Sequence, residues 1–382
     1  MIIGGGIHGA SLAFHLGQRG LKAVVVERRA VASGATGRSS GLVRMHYDLE
    51  AESRLAWGSF RYFRDWAEMV GGECGFTRTG FLKIVGPEYT ESLRANVAMH
   101  QRLGVPMLLV TPDDVRRLAP ARATADFEAA AYEPESGYAD PSTAANGFLQ
   151  AARERGVRLM QDCRVTAVRV SGSKVAGVET TRGALSAPIV VNAAGPWAAE
   201  VGRMVGLDLP VTTWRHDTMF IRRPPALRHP HPTVIDGATS MYFRPETGGL
   251  TLVGLEDGNP LGQSPDGDTD HALPGFVERA VGRICQRIPG MEHGSLHGAH
   301  GGYDGITTDQ HPILDQAGPD GFYLDCGFSG TGFKIAPAVG ACMAELILDG
   351  KAATVDVSVF TFRRFAEGKL LKGEHPYEKL WR

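Results

Sequence analysis

The feature that most narrows the possible folds is Gly4-Gly5-Gly6-Ile7-His8-Gly9. It satisfies GxGxxG and lies between the apolar pair Ile2-Ile3 and an amphipathic stretch over Ile7 to Gln18. Strand, glycine turn and helix in that order open a βαβ unit, and Ala23-Val24-Val25-Val26-Glu27 supplies its second strand. Gly4 permits the tight turn, Gly6 lets the backbone approach a pyrophosphate, and Gly9 lets the helix lie close to the strand. The helix N-terminus, with Ile7 and His8 in its first turn, then faces the anion. Glu27 follows Gly9 by 18 residues, at the end of the second strand. A carboxylate there hydrogen-bonds a ribose 2′-hydroxyl and would repel the 2′-phosphate of NADP. The motif implies a bound dinucleotide and leaves NAD and FAD both open.

At 382 residues the chain exceeds what one hydrophobic core usually serves, so two domains are expected. A helix over about 142–155 and strand-like runs over 158–160, 165–170, 175–180 and 187–191 read as the Rossmann sheet resuming. A last helix over about 334–348 carries Ile335, Val339, Met343 and Leu346 on one face, with Gly350 just past its end. The runs over 80–85, 218–222, 240–244 and 249–254 read as strands of a second unit. The expected fold class is α/β, a Rossmann-type domain (1–70, 139–208 and 295–382) interleaved with a mixed-sheet α+β substrate domain (71–138 and 209–294).

A formal charge of -2 creates no field that would recruit nucleic acid or an anionic membrane, which leaves a small molecule as the expected partner. Five scattered cysteines without a CxxC pair suit neither zinc nor a disulfide framework, so no metal site is expected and the compartment should be reducing. No apolar run is long enough to span a bilayer, and no basic segment with an apolar core opens the chain; the expectation is a cytoplasmic protein without a transmembrane segment.

Ser33-Gly34-Ala35-Thr36-Gly37-Arg38-Ser39-Ser40-Gly41 is a small, hydroxyl-rich loop able to wrap a large planar cofactor. Together, GGGIHGASLAFHLGQRG, VVVE and SGATGRSSGLVRMHY resemble the amino-terminal signature of the D-amino acid oxidase superfamily, in the branch of the sarcosine oxidases, glycine oxidase and dimethylglycine dehydrogenase. Two later segments, Val190-Val191-Asn192-Ala193-Ala194-Gly195-Pro196-Trp197 and Gly327-Phe328-Ser329-Gly330-Thr331-Gly332-Phe333-Lys334, fit the same pattern in the same order. The resemblance implies FAD, held by Gly4, Gly6, Ile7, His8, Gly9, Glu27 and Arg28, then by Ser33, Gly37, Arg38, Ser39 and Ser40. Val165, Ala194, Gly195, Trp197, Gly327, Gly330, Thr331, Gly332, Phe333 and Lys334 complete the expected cofactor set. The positive end of the last helix would favour the charge that a reduced flavin develops.

The resemblance also matches Arg44 and Lys334 to the pair that holds a substrate carboxylate over the flavin, a task suited to a guanidinium fork and an ammonium. Tyr242 and Tyr303 fall in segments that face the substrate, although both equally suit a core. His46 is a candidate general base, although a lone histidine is more often a hydrogen-bonded structural residue; amine oxidation does not require a dedicated base. Where monomeric sarcosine oxidases tether the flavin through a cysteine, this chain reads Gly301-Gly302-Tyr303, so the FAD is expected to be non-covalent. Where those enzymes place a lysine that activates oxygen, the best match is Thr251, which argues against oxygen as acceptor; the acceptor stays open. The implied reaction is oxidation of the C–N bond of a small amino acid or N-alkyl amino acid by hydride transfer to flavin N5. A 2-hydroxy-acid oxidoreductase and a flavin subunit of a larger electron-transfer complex, with a partner subunit, are the alternatives.

Overall fold

Two large sheets organise the molecule, whose computed structural model describes residues 1–377 apart from 121 and 228. The first is six-stranded, in the order Ile313–Gln316, Phe322–Cys326, Val190–Asn192, Ile2–Ile3, Val24–Val26, Arg158–Met160. All its pairings are parallel except the outer one between Ile313–Gln316 and Phe322–Cys326. Ile2–Ile3 and Val24–Val26 are wholly apolar because both faces of the sheet are covered. On one face lie the helices Ile7–Gln18, Pro141–Glu154 and Gly332–Asp349. On the other lie the helix Ala198–Arg203 and a small antiparallel sheet.

The first and last of the three helices touch almost backbone to backbone. A Cβ added at Gly340 would lie 2.2 Å from Ser11 Oγ, and one at Gly9 would lie 2.1 Å from the Gly4 carbonyl oxygen. Gly350 ends the last helix at φ 72, as the sequence suggested. The helix starts at Gly332, two residues before the expected start, and carries Pro337 inside it. The local break is repaired from outside: Ala338 N–H donates to Ser59 Oγ at 2.9 Å, and Ser59 Oγ donates to the Ile335 carbonyl at 3.0 Å.

The run from 165 to 186 departs from expectation. Val165–Ser171 and Lys174–Thr180 fold on each other as an antiparallel hairpin, joined by Leu185–Ser186, and only Arg158–Met160 and Val190–Asn192 enter the parallel sheet. The hairpin turns at Gly172, whose φ of 60 suits a short connection that a crossover strand would not have.

The second large sheet has eight strands, in the order Ser295–Thr307, Val211–Arg222, Leu250–Leu255, Met241–Glu246, Thr233–Asp236, Phe81–Ile84, Ala130–Glu133, Leu108–Val110. The two inserts meet where Thr233–Asp236 pairs in parallel with Phe81–Ile84. The helix Phe276–Arg287 packs Phe276, Ala280 and Ile284 against Met219, Phe243 and Val253. Ser295–Thr307 pairs with Val211–Arg222 along its length, so this strand belongs to the second sheet and not, as a boundary at 295 implies, to the dinucleotide unit. No helix among the described residues is long and apolar enough to cross a membrane.

Candidate active site

A cavity of about 1250 Å³, counting its open mouth, runs along the carboxyl ends of the parallel strands, where open α/β sheets bind their ligands. Gly4, Gly6, Ile7, His8, Glu27, Arg28, Ser33, Ser39, Val165, Ala194, Gly195, Trp197, Gly330, Gly332 and Phe333 all line it. Gly4 takes φ +112, and an added Cβ would lie 2.4 Å from the Ala193 carbonyl oxygen, so no side chain fits there. Glu27 does more than line the cavity. Its Oε2 accepts from Gly5 N–H at 2.7 Å and its Oε1 from Arg29 N–H at 2.8 Å, so the carboxylate also pins the glycine turn. Thr36 Oγ1 accepts from Ile7 N–H at 3.0 Å and fixes the start of the helix. The Arg28 guanidinium lies 4.2 Å from the Trp197 ring centroid.

Four expected cofactor residues are not brought to either cavity. Gly9 and Gly37 are consumed by close packing, Gly37 against the Ala32 carbonyl oxygen; Gly327 packs on Thr307, and Thr331 Oγ1 donates to the Phe328 carbonyl at 2.7 Å. Sequence reasoning missed Asp325, which lines the long cavity at the end of Phe322–Cys326. Its oxygens accept no hydrogen bond among the described residues, and burial pushes its carboxyl up to about 7. Such a group can donate to a cofactor oxygen as well as accept. These residues fit a dinucleotide with an anionic middle.

A second cavity, of about 680 Å³, adjoins the first and shares Ala35, Ser39, Asp304 and Gly330 with it. Arg44, Lys334, Tyr242, Tyr303, Arg38 and Ser40 line it, so the chain brings together residues read from distant parts of the sequence. Buried Glu133 sets the position of Arg44 by accepting from Met45 N–H at 2.9 Å and His46 N–H at 2.8 Å. Arg44 Nη1 donates to the His46 carbonyl, and the guanidinium stacks 4.3 Å from the Tyr47 ring centroid. Lys334 lies in the first turn of the last helix and donates to the Gly330 carbonyl at 3.4 Å. Burial, and then the nearby Arg44, hold its ammonium well below the usual lysine range. An anion between the two cations would relieve both costs.

The tyrosines wall the cavity. Tyr242 pairs with Gly254, and a Cβ there would lie 2.1 Å from Tyr242 Cζ, so the glycine lets the ring lie flat across the sheet. Tyr303 OH accepts from Arg215 Nη1 at 3.2 Å and donates to Gln263 Oε1 at 3.3 Å. Arg38 reaches across to Asp270 at 2.9 Å.

Two candidates lie elsewhere. His46 is buried outside the cavity, its Nε2 2.9 Å from Tyr377 OH and its ring stacked on His100, because Leu42–Val43 ends before it and the i, i+2 alternation with Arg44 is lost. A general-base role does not fit that place. Thr251 sits at the start of Leu250–Leu255 with its hydroxyl 2.9 Å from His231 Nε2 and 3.3 Å from Arg223 Nη1, outside the cavity lining. The argument from its neutral side chain against oxygen falls with its position. The same strand reaches the cavity one residue past its end, at Glu256, and Asp304 reaches it beside Tyr303. Both were missed; knowing where the strand ends would have flagged Glu256.

The two adjoining cavities, one lined by the glycine turn and the other by paired cations, fit the class of proteins that hold a dinucleotide beside a second small ligand. The chain belongs to the DAO family of FAD dependent oxidoreductases, whose model matches residues 1–346. The cofactor is FAD, and the family is enzymatic. The chain is 29% identical over 381 residues to mitochondrial sarcosine dehydrogenase of Homo sapiens, covering 96% of this chain and 41% of that protein. It is 26% identical to sarcosine oxidase subunit beta of Arthrobacter sp, covering 97% and 92%. The crystal structure of L-proline dehydrogenase from P. horikoshii superposes with a TM-score of 0.90 at 27% identity, covering 97% of this chain and 98% of that one. The chain thus spans less than half the length of the mitochondrial relative.

Proposed function

We propose that this protein oxidises the C–N bond of a small amino acid or N-alkyl amino acid. The observation that carries the reading is that Arg44 and Lys334 line one cavity directly beside the FAD cavity. Bound FAD supplies the two-electron acceptor. The chain's own residues take the substrate carboxylate between a guanidinium and an ammonium, and the rings of Tyr242 and Tyr303 flank the carbon to be oxidised. Relatives named for sarcosine and proline support an amine donor with a secondary nitrogen. The FAD is held non-covalently: Gly301-Gly302 stands where the tethering cysteine is expected, and Cys163, which lines the long cavity, packs in the apolar core with Val26 and Val165. A relative named as a subunit supports a partner subunit as the route for electrons.

Replacing Arg44 with Met tests the clamp. A hydrogen bond to a charged group contributes about 1.5–3 kcal/mol, so acetate, read by its perturbation of the flavin spectrum, should bind roughly 10- to 150-fold more weakly. FAD content should be unchanged, and Lys334→Met should give a smaller loss. Parent-like acetate affinity in an FAD-replete Arg44→Met protein would remove the clamp.

A further inference from the structure

Two carboxylates, Glu256 and Asp304, line the second cavity, and the clamp uses neither. Glu256 lines it together with Arg44 and Lys334, and both of its oxygens are buried without a hydrogen-bond partner among the described residues. Its backbone is fixed, since Glu256 N–H donates to the Ser240 carbonyl at 2.9 Å. The other acid on the wall, Asp304, is already committed: its oxygens accept from Gly305 N–H at 2.8 Å and Gly330 N–H at 2.6 Å. Lys83 lies near Glu256 but donates no hydrogen bond to it, and its ammonium lies 5.5 Å from the Tyr377 ring centroid. A buried carboxylate with no donor is costly to keep, and burial accordingly pushes the Glu256 carboxyl upward against the pull of Lys83 and Arg44.

We propose that Glu256 is the specificity residue for the substrate nitrogen: it receives the ammonium of a ligand whose carboxylate is held by Arg44 and Lys334. This rests on the clamp reading and sharpens it. The cavity then carries opposite charges for the two ends of a zwitterion, and should select α-amino and N-alkyl amino acids over hydroxy acids and neutral acids of the same shape. Uncharged isosteres would leave Glu256 buried and unpaired, which is where the discrimination comes from.

Dimethylglycine and 3-methylbutanoate have nearly the same shape and differ in the cationic nitrogen, and acetate reports the clamp alone. Binding of each to the FAD-loaded protein is read from the flavin spectrum with oxygen excluded. The parent should prefer dimethylglycine at least about tenfold, and Glu256→Gln should weaken dimethylglycine by about 10- to 150-fold while leaving acetate and 3-methylbutanoate within about twofold or tighter. An unchanged preference in Glu256→Gln would overturn the assignment. Should that variant not keep its FAD, the parent decides: equal affinity for the two isosteres overturns the assignment and leaves the clamp standing, whereas failure to bind even acetate removes the clamp and Glu256's role with it.

Discussion

At the scale of single residues, one carboxylate both lines the long cavity and holds the backbone around it. Glu27 was legible from its place at the end of the second strand, and it does line the long cavity. What the motif did not reveal is that Glu27 also accepts from the backbone of Gly5 and Arg29, because such bonds depend on where the turn returns in space. Glu27→Ala should therefore weaken FAD by roughly 10- to 150-fold and lower the melting temperature of the FAD-free protein as well, since two backbone donors lose a charged acceptor. Glu27→Gln, which keeps one acceptor, should fall between. Fluorescence titration of the stripped protein with FAD measures the first effect and thermal melting the second; parent-like values of both in Glu27→Ala would show that the carboxylate holds neither. Arg44 and Lys334 were legible through family resemblance alone. Thr251 and Glu256 mark the limit of that reading: a strand is easily recognised by its apolar run, but which of its residues reaches a cavity depends on where it ends and turns.

At the scale of elements, the βαβ opening and the last helix were readable because glycine spacing and apolar periodicity are local. The hairpin over 165–180 was misassigned to the Rossmann sheet because a short strand carries no local mark of the sheet it joins. The packing of the first helix on the last is equally a tertiary matter, and it gives the element-level prediction. Gly340 faces the backbone of Ser11, with Leu12 N only 2.9 Å from where a Cβ would stand. Backbone cannot yield as a flexible side chain does, so Gly340→Val should force the helices apart at a cost of about 1–3 kcal/mol or more. The last helix carries Lys334 in its first turn and lines both cavities through Gly332, Phe333 and Lys334. The same variant should therefore lose FAD affinity as well as stability. A Gly340→Val protein that melts with the parent and retains its FAD would mean that the two helices can part without disturbing the site.

At the scale of the whole molecule, the interleaving ties the two sheets together through a shared strand. Ser295–Thr307 runs antiparallel to Val211–Arg222 through the second sheet, while its far end is stitched to the cofactor side: Ser329 N–H donates to the Gly305 carbonyl at 2.9 Å and Gly330 N–H to Asp304. Ion pairs cross the same divide, Arg28 with Asp266 and Arg38 with Asp270, and tie the segment after Leu250–Leu255 over the cofactor residues. Exposed pairs contribute little singly, so the shared strand carries the coupling. Asp304 of that strand and Gly4 and Gly6 of the glycine turn line one cavity, which only the folded chain assembles. Calorimetry should therefore record a single unfolding transition for the FAD-free protein, shifted upward as a unit by added FAD, with a gain of about 2.7 kcal/mol when free FAD is a hundredfold above its dissociation constant. If the flavin is non-covalent, acid precipitation should release it into the supernatant and readdition at neutral pH should restore the shift. Two separate transitions, only one of them moved by FAD, would mean that the substrate sheet folds independently of the cofactor unit; yellow colour left in the acid pellet would instead show a covalent bond and direct attention to the side chains lining the second cavity, His216 among them.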